Sequence, residues 1–295
     1  MIGTLALAVA LSLASSPVHQ ASLQMQQLVV AQSAPAPEFY ELRHNWVADG
    51  VVTGVSGALW LGTEFLFKHQ LAPTECRLFC ERDPDGLSTV NSLDLGARAV
   101  RWAPQHQSTA ARISDAMIYL VLPATVGGLQ WYAAGSAGAG SRIWTDYLLI
   151  LESAALAQVA NQTVKFLVGR ERPYSNAMTL AERLASGGED DVLSFYSGHA
   201  TFSFALTVAA GTVAQLRGYK HAWLLWAVAV PLAATVPYFR MAADKHYLTD
   251  VLVGSLVGAA FGVAVPMLHG RANQDPASAV TFGAAPGGIS ISGTF

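Results

Sequence analysis

An all-α helical bundle of five or six transmembrane helices, with a reactive site at the outer ends of those helices, is the architecture this sequence predicts. Three observations predict it. Of 295 residues, 52% are hydrophobic and 13% are charged, about half the roughly 25% charged content of an average soluble domain; mean hydropathy is +0.35. Four stretches run without Asp, Glu, Lys or Arg for at least about 18 residues, the length that crosses a bilayer: Ala116 to Ser141, Val192 to Leu216, His221 to Phe239 and Val251 to His269. These stretches are rich in Ala and Leu, too long for strands and without period-two alternation, so they read as helices. A soluble all-α domain with an unusually large core is the alternative. The net charge of −3 supplies no basic surface for a nucleic acid.

In chain order, residues 1–22 read as a signal-like or anchor segment. The apolar run Ile2 to Ala14 is followed by Ser-Ser-Pro, although no Lys or Arg precedes it. Residues 23–46 form a linker that includes Ala-Pro-Ala-Pro. The helical domain covers 47–269. Its first stretch, Val47 to Phe67, is Gly-rich and interrupted by Asp49 and Glu64, which makes it a weak span. Cys76 and Cys80 stand at i, i+4 and suit either a local disulfide in an oxidising compartment or two reduced thiols. Without further Cys or a nearby His pair they do not form a structural zinc site. Ile143 to Val168 is a fifth span although it carries Asp146, Glu152 and Lys165. Residues 270–295 are a polar, Gly-rich tail. Two short strands flanking Ala-Pro-Gly-Gly can be read in it, disordered or loosely paired.

Arg217 and Lys220, in the short link before His221, place that end of the bundle on the cytoplasmic side. Glu182, Glu189, Asp190 and Asp191, in the link before Ser197, then lie outside, with Glu189-Asp190-Asp191 read as a solvated loop.

Three clusters fall at those outer ends: Lys165 with Arg172-Pro173, then Ser197-Gly198-His199, then Arg240 with His246 and Asp250. Guanidinium groups match the several charged oxygens of a phosphate, and Lys165 adds a compact charge. Ser197 and Gly198 open an apolar helix, where free N–H groups favour an anion. On a helix His246 and Asp250 share a face within hydrogen-bonding reach. A carboxylate on one ring nitrogen leaves the other free to attack. Singly, each has a plainer reading: a cation at a span end, a helix cap, a salt bridge or half a metal site. Arg240 beside the histidines favours oxyanion chemistry over a metal.

The order and spacing of the three clusters resemble the type 2 phosphatidic acid phosphatase family, which shares its site with vanadium haloperoxidases and bacterial class A acid phosphatases. The match runs through Lys165-Phe-Leu-Val-Gly-Arg-Glu-Arg172-Pro173, Ser197-Gly198-His199 and Arg240-Met-Ala-Ala-Asp-Lys-His246-Tyr-Leu-Thr-Asp250, within residues 143–268. Tyr196 stands where the family has Pro, and Phe239 where it usually has Ser, which puts loop shape and substrate preference in doubt. The resemblance implies that His246 is the nucleophile of a phosphohistidine intermediate, that Asp250 orients it, and that His199 is the acid and then the base. It implies that Lys165, Arg172, Arg240, Ser197 and the Gly198 N–H hold the phosphoryl oxygens, with no metal and no cofactor required. The implied partners are a lipid phosphate or pyrophosphate and a bilayer, the bacterial inner membrane with the site facing the periplasm; nothing specifies an oligomeric state. A soluble exported acid phosphatase, a vanadate-dependent haloperoxidase and a binding-only membrane protein are the other readings.

Overall fold

Six long helices alternate in direction, so that the same end of the bundle receives every residue of the three clusters. The computed structural model describes residues 39–270, apart from 84, 86, 180, 183, 184, 186, 187 and 189, and the backbone of 281–285 and 288–292. The signal-like segment and most of the linker lie outside the described residues. Helix α1 is Trp46–Leu61, capped by the Asn45 side chain and continued by a wider turn over Gly62–Leu66. A short α2, Ser92–Ala97, precedes α3, Pro104–Ser136. Then come α4, Ile143–Val168; α5, Gly198–Arg217; α6, Leu225–Ala242; and α7, Leu248–His269. Val47 to Phe67, weak by sequence, is thus a full member of the bundle.

Both α3 and α6 contain a π turn, Met117–Val121 and Leu225–Ala229, each ending two residues before a proline, Pro123 and Pro231. Proline cannot donate to the preceding turn and its ring crowds the carbonyl there, so the helix widens instead of breaking. By length and composition α3, α6 and α7 can cross a membrane, and their outer faces expose Leu120, Trp131, Val228, Leu252, Leu256 and Leu268. α1 also turns apolar side chains outward, among them Val51, Val55 and Leu59, whereas α4 faces inward. On α4, Asp146, Glu152, Gln158, Asn161, Gln162 and Lys165 are all buried.

α5 is the central helix, packed on α7, α4, α6 and α3. Small residues let it in: Gly254, Gly258 and Gly262 put one bare stripe of α7 against its backbone. A β-carbon at Gly254 would sit 2.6 Å from the Ser197 carbonyl oxygen, one at Gly262 2.9 Å from the Ala209 nitrogen, and one at Gly258 would overlap the Thr201 carbonyl. Backbone cannot step aside as a side chain can. Gly258→Ala is therefore expected to cost about 1–3 kcal/mol by overpacking and to lower activity at least tenfold, because the two helices carry the site's halves. Gly54→Ala, where nothing lies within 4 Å, is the control; thermal melts and steady-state rates of the two variants in detergent check the difference.

One expectation about the connections changes, and one open alternative is decided. Arg217 is not a loop charge: it is fully buried, 2.8 Å from Asp146 and 3.2 Å from Glu41, so of the two cations in that link only Lys220 is exposed. Cys76 and Cys80 form a disulfide. The tail is a hairpin, β1 Thr281–Ala285 antiparallel to β2 Gly288–Ser292, with Thr281 opposite Ser292.

Candidate active site

The site is a cavity of about 340 Å³ walled by α1, α3, α4, α5 and the turn after α6. Of the eight residues expected from sequence, Lys165, Arg172, Gly198, His199, Arg240 and His246 line it. Ser197 and Asp250, both fully buried, stand behind the wall.

α5 begins at Gly198, not Val192, because Ser197 has the extended backbone of an N-cap and its hydroxyl faces the Ala200 N–H at 3.5 Å. That start aims the helix N-terminus at the cavity, favourable for an anion. A larger residue at 198 would have to push two side chains of the site aside: a β-carbon would lie 2.8 Å from Asn161 Oδ1 and 3.3 Å from Lys165 Nζ. Arg172 is fixed by its Nε donating to the Asp190 carbonyl at 2.7 Å.

His246 lies in the turn before α7, so the expected one-face pairing with Asp250 along a helix does not occur. Its Nδ1 is 2.8 Å from the Ser194 carbonyl and 3.7 Å from Asp250. A carbonyl only accepts, so Nδ1 carries the proton and Nε2 keeps its lone pair. Asp250 acts one step back, accepting from Ser194 Oγ at 2.6 Å and from the Tyr247 N–H at 2.8 Å. Its other oxygen takes Arg170 Nη1 at 2.6 Å. The turn itself is pinned by Arg98, which forks onto Asp244 at 2.7 and 3.0 Å.

Burial pushes the His246 imidazole well below its ordinary value, and Arg172, Arg240 and Lys165 push it further. The direction keeps the ring neutral, hence nucleophilic, below the roughly 6.5 of a free imidazole. His246 is expected to stay unprotonated between pH 8 and about pH 6 in ¹³C-histidine NMR, assigned by loss of the signal in His246→Ala. Titration near 6.5 would contradict this geometry.

The first half of the chain, silent in motif terms, supplies much of the wall. Asp115 on α3 lies 2.7 Å from His199 Nε2 and 3.5 Å from Arg240. Lys68 bridges Glu64 at 2.9 Å and Asp190 at 2.5 Å. Asp190, though partly exposed, is therefore tied into the wall of the site. Burial raises its carboxyl, but Arg172 and Lys68 outweigh that and hold it well below the usual range. Glu189 lies outside the described residues. Behind the wall one guanidinium, Arg170, meets Asp250, Asp94 at 2.8 Å and Glu81 at 2.5 Å, and stacks on Tyr247. Of these partners Glu64, Glu81, Asp94 and Asp115 stand in the sequence only as acids scattered ahead of the first cluster.

The PAP2 superfamily model matches residues 146–274, a span that contains all three clusters. This segment is similar to the PAP2 superfamily. Human phospholipid phosphatase 2 is 34% identical over 131 residues, covering 37% of this chain and 46% of the relative. The rat protein of the same name is 32% identical over 130 residues, covering 37% and 47%. The chain thus spans about half the length of the curated relatives it matches. A solved transmembrane PAP2-type phosphatidylglycerolphosphate phosphatase from Bacillus subtilis aligns over 74% of this chain and 92% of its own, at 17% identity and a TM-score of 0.40. The PAP2 segment starts within α4, so α1, α2 and α3, which bring Lys68, Asp94 and Asp115 to the site, lie outside the matched residues.

Proposed function

We propose that this protein is a metal-independent phosphatase that removes the terminal phosphate of a membrane lipid through a phosphohistidine on His246. The observation that carries the reading is the arrangement across one cavity. His246 has its Nδ1 proton tied to Ser194, so Nε2 is the nitrogen left for chemistry, and Lys165, Arg172 and Arg240 line the same space with His199.

In the first step the Nε2 lone pair attacks phosphorus, the bond to the leaving oxygen breaks, and His199 gives that oxygen a proton. The Ser194 carbonyl and the Asp250 carboxylate behind it stabilise the charge the His246 ring acquires. In the second step His199 takes a proton from water, the water oxygen attacks phosphorus, and the phosphorus–nitrogen bond breaks. Three cations and the Gly198 N–H neutralise the phosphoryl oxygens throughout, the work a metal does elsewhere. Asp115, 2.7 Å from His199 Nε2, orients the ring and gives way when a substrate oxygen takes its place.

A lipid is supported by the surroundings of the cavity. Phe65 and Leu66 follow the cavity-lining Glu64, and Leu120 follows the cavity-lining Tyr119; all three are well exposed apolar side chains. The relatives' name supports a phospholipid. An outward-facing site is supported by the Cys76–Cys80 bridge, whose loop is hydrogen-bonded to Val168 and Gly169 at the site end; disulfides persist in oxidising compartments. Phosphate release by the detergent-purified protein across lipid monophosphates, a polyprenyl pyrophosphate and an aryl phosphate tests the substrate class. Remote binding energy raises the rate at the reacting centre, so kcat/KM for the preferred lipid is expected to exceed that for the aryl phosphate by about tenfold or more. Equal values would favour a broad-specificity phosphatase.

A further inference from the structure

At the end of the bundle away from the phosphate cavity, α1, α4 and α7 bring Asp49, Glu152 and His269 together, one ligand atom from each within 4.8 Å of the others. Glu152 is the unusual member. It is only 7% exposed, and its Oε2 has no hydrogen-bond partner. It lies 3.5 Å from His269 Nε2.

The histidine is set up from behind. Its Nδ1 lies 3.0 Å from the Arg43 carbonyl, which can only accept, so Nδ1 carries a proton and Nε2, the nitrogen left for a ligand, faces the carboxylate. Arg43 also donates through Nε to the His269 carbonyl at 2.8 Å, fixing the end of α7. A ring nitrogen with its lone pair inward and its other N–H on a carbonyl is the arrangement that metal-bound histidines adopt. Asp49 keeps one oxygen on the Asn45 N–H at 2.7 Å, which orients its carboxylate.

The Glu152 carboxylate and His269 Nε2, 3.5 Å apart, hold something positive between them, a proton or a metal ion. Two ligands about 2.0–2.1 Å from a tetrahedral zinc stand roughly 3.3 Å apart, close to the spacing here. Two carboxylates and a neutral imidazole carry the charge that a divalent ion balances, and their N/O donor set suits zinc better than magnesium or calcium.

We propose that Asp49, Glu152 and His269 form a zinc site, with water in the remaining position, that clamps α1, α4 and α7 at the end opposite the phosphate cavity. The site takes no part in phosphate release, and the metal-free reading of the catalytic end does not depend on it.

The test uses the untagged, detergent-purified full chain, stripped with a chelator and dialysed against micromolar zinc chloride. Metal analysis is expected to find about one zinc per chain more in the wild type than in Glu152→Gln or His269→Gln, and zinc is expected to raise the melting temperature of the wild type alone. Cobalt substitution gives a second readout, visible bands of a tetrahedral N/O site, lost in the same variants. Phosphate release by the variants confirms that they fold. Equal zinc in wild type and Glu152→Gln, or none in the wild type, would overturn the proposal and leave a His269–Glu152 ion pair sharing a proton.

Discussion

Replacing His246 with alanine is expected to lower kcat/KM for phosphate release by at least about 10⁴-fold, the loss seen when a nucleophile acting with its base is removed. Lys165, Arg172 and Arg240 remain in place in this variant, so a lipid phosphate still binds and the loss falls on kcat. His199 does not replace the ring: it starts α5 and its Nε2 is held by Asp115 at 2.7 Å. Stability moves little by comparison, because removing a neutral ring uncovers no buried charge. Steady-state kinetics with the preferred lipid and a thermal melt separate these effects. A fall of less than about 10²-fold, within reach of electrostatic stabilisation alone, would remove His246 from the nucleophile's role.

Arg170→Met is expected to be the most destabilising single change in the described part of the chain. The guanidinium is 4% exposed and satisfies Asp250, Asp94 and Glu81 together, with Thr249 at 2.7 Å. Breaking a buried ion pair by removing one partner costs about 3–5 kcal/mol, because the other charge stays buried and uncompensated. At about 2–4 °C per kcal/mol for a domain of this size, the melting temperature falls by roughly 6–20 °C. Activity falls as well, since Asp250 holds the Ser194 segment whose carbonyl orients His246. The exposed Arg101→Met serves as the control. A melting temperature within about 2 °C of wild type would mean that the carboxylates find other partners.

The helical character of the chain and six of the cavity's residues were legible because charge-free runs and fixed spacings are local properties. What escaped depended on distance in sequence. Nothing near Asp115 distinguishes it from a surface acid, yet the direction of α3 carries it 84 residues along the chain to His199. Asp190 reads as part of an acidic loop until Lys68 and Arg172 are seen beside it. The pairing of His246 with Asp250 was inferred from helical spacing, but the helix starts two residues after the histidine. The Gly254, Gly258, Gly262 stripe could have been read directly, since a small residue every fourth position marks close helix packing.

The account rests on a covalent bond between phosphorus and His246. Its most direct test is to mix the detergent-purified His199→Ala variant with a ³²P-labelled aryl phosphate, whose leaving group needs no proton, and quench in alkali, where a phosphohistidine survives. Without His199 the water-driven second step then slows more than the first, so radiolabel is expected to accumulate on the protein. It is expected to map to the peptide containing His246, and to be absent from the His199→Ala, His246→Ala double variant. Phosphate release with no label on His246 at any time point, or the same label in the double variant, would contradict the central claim.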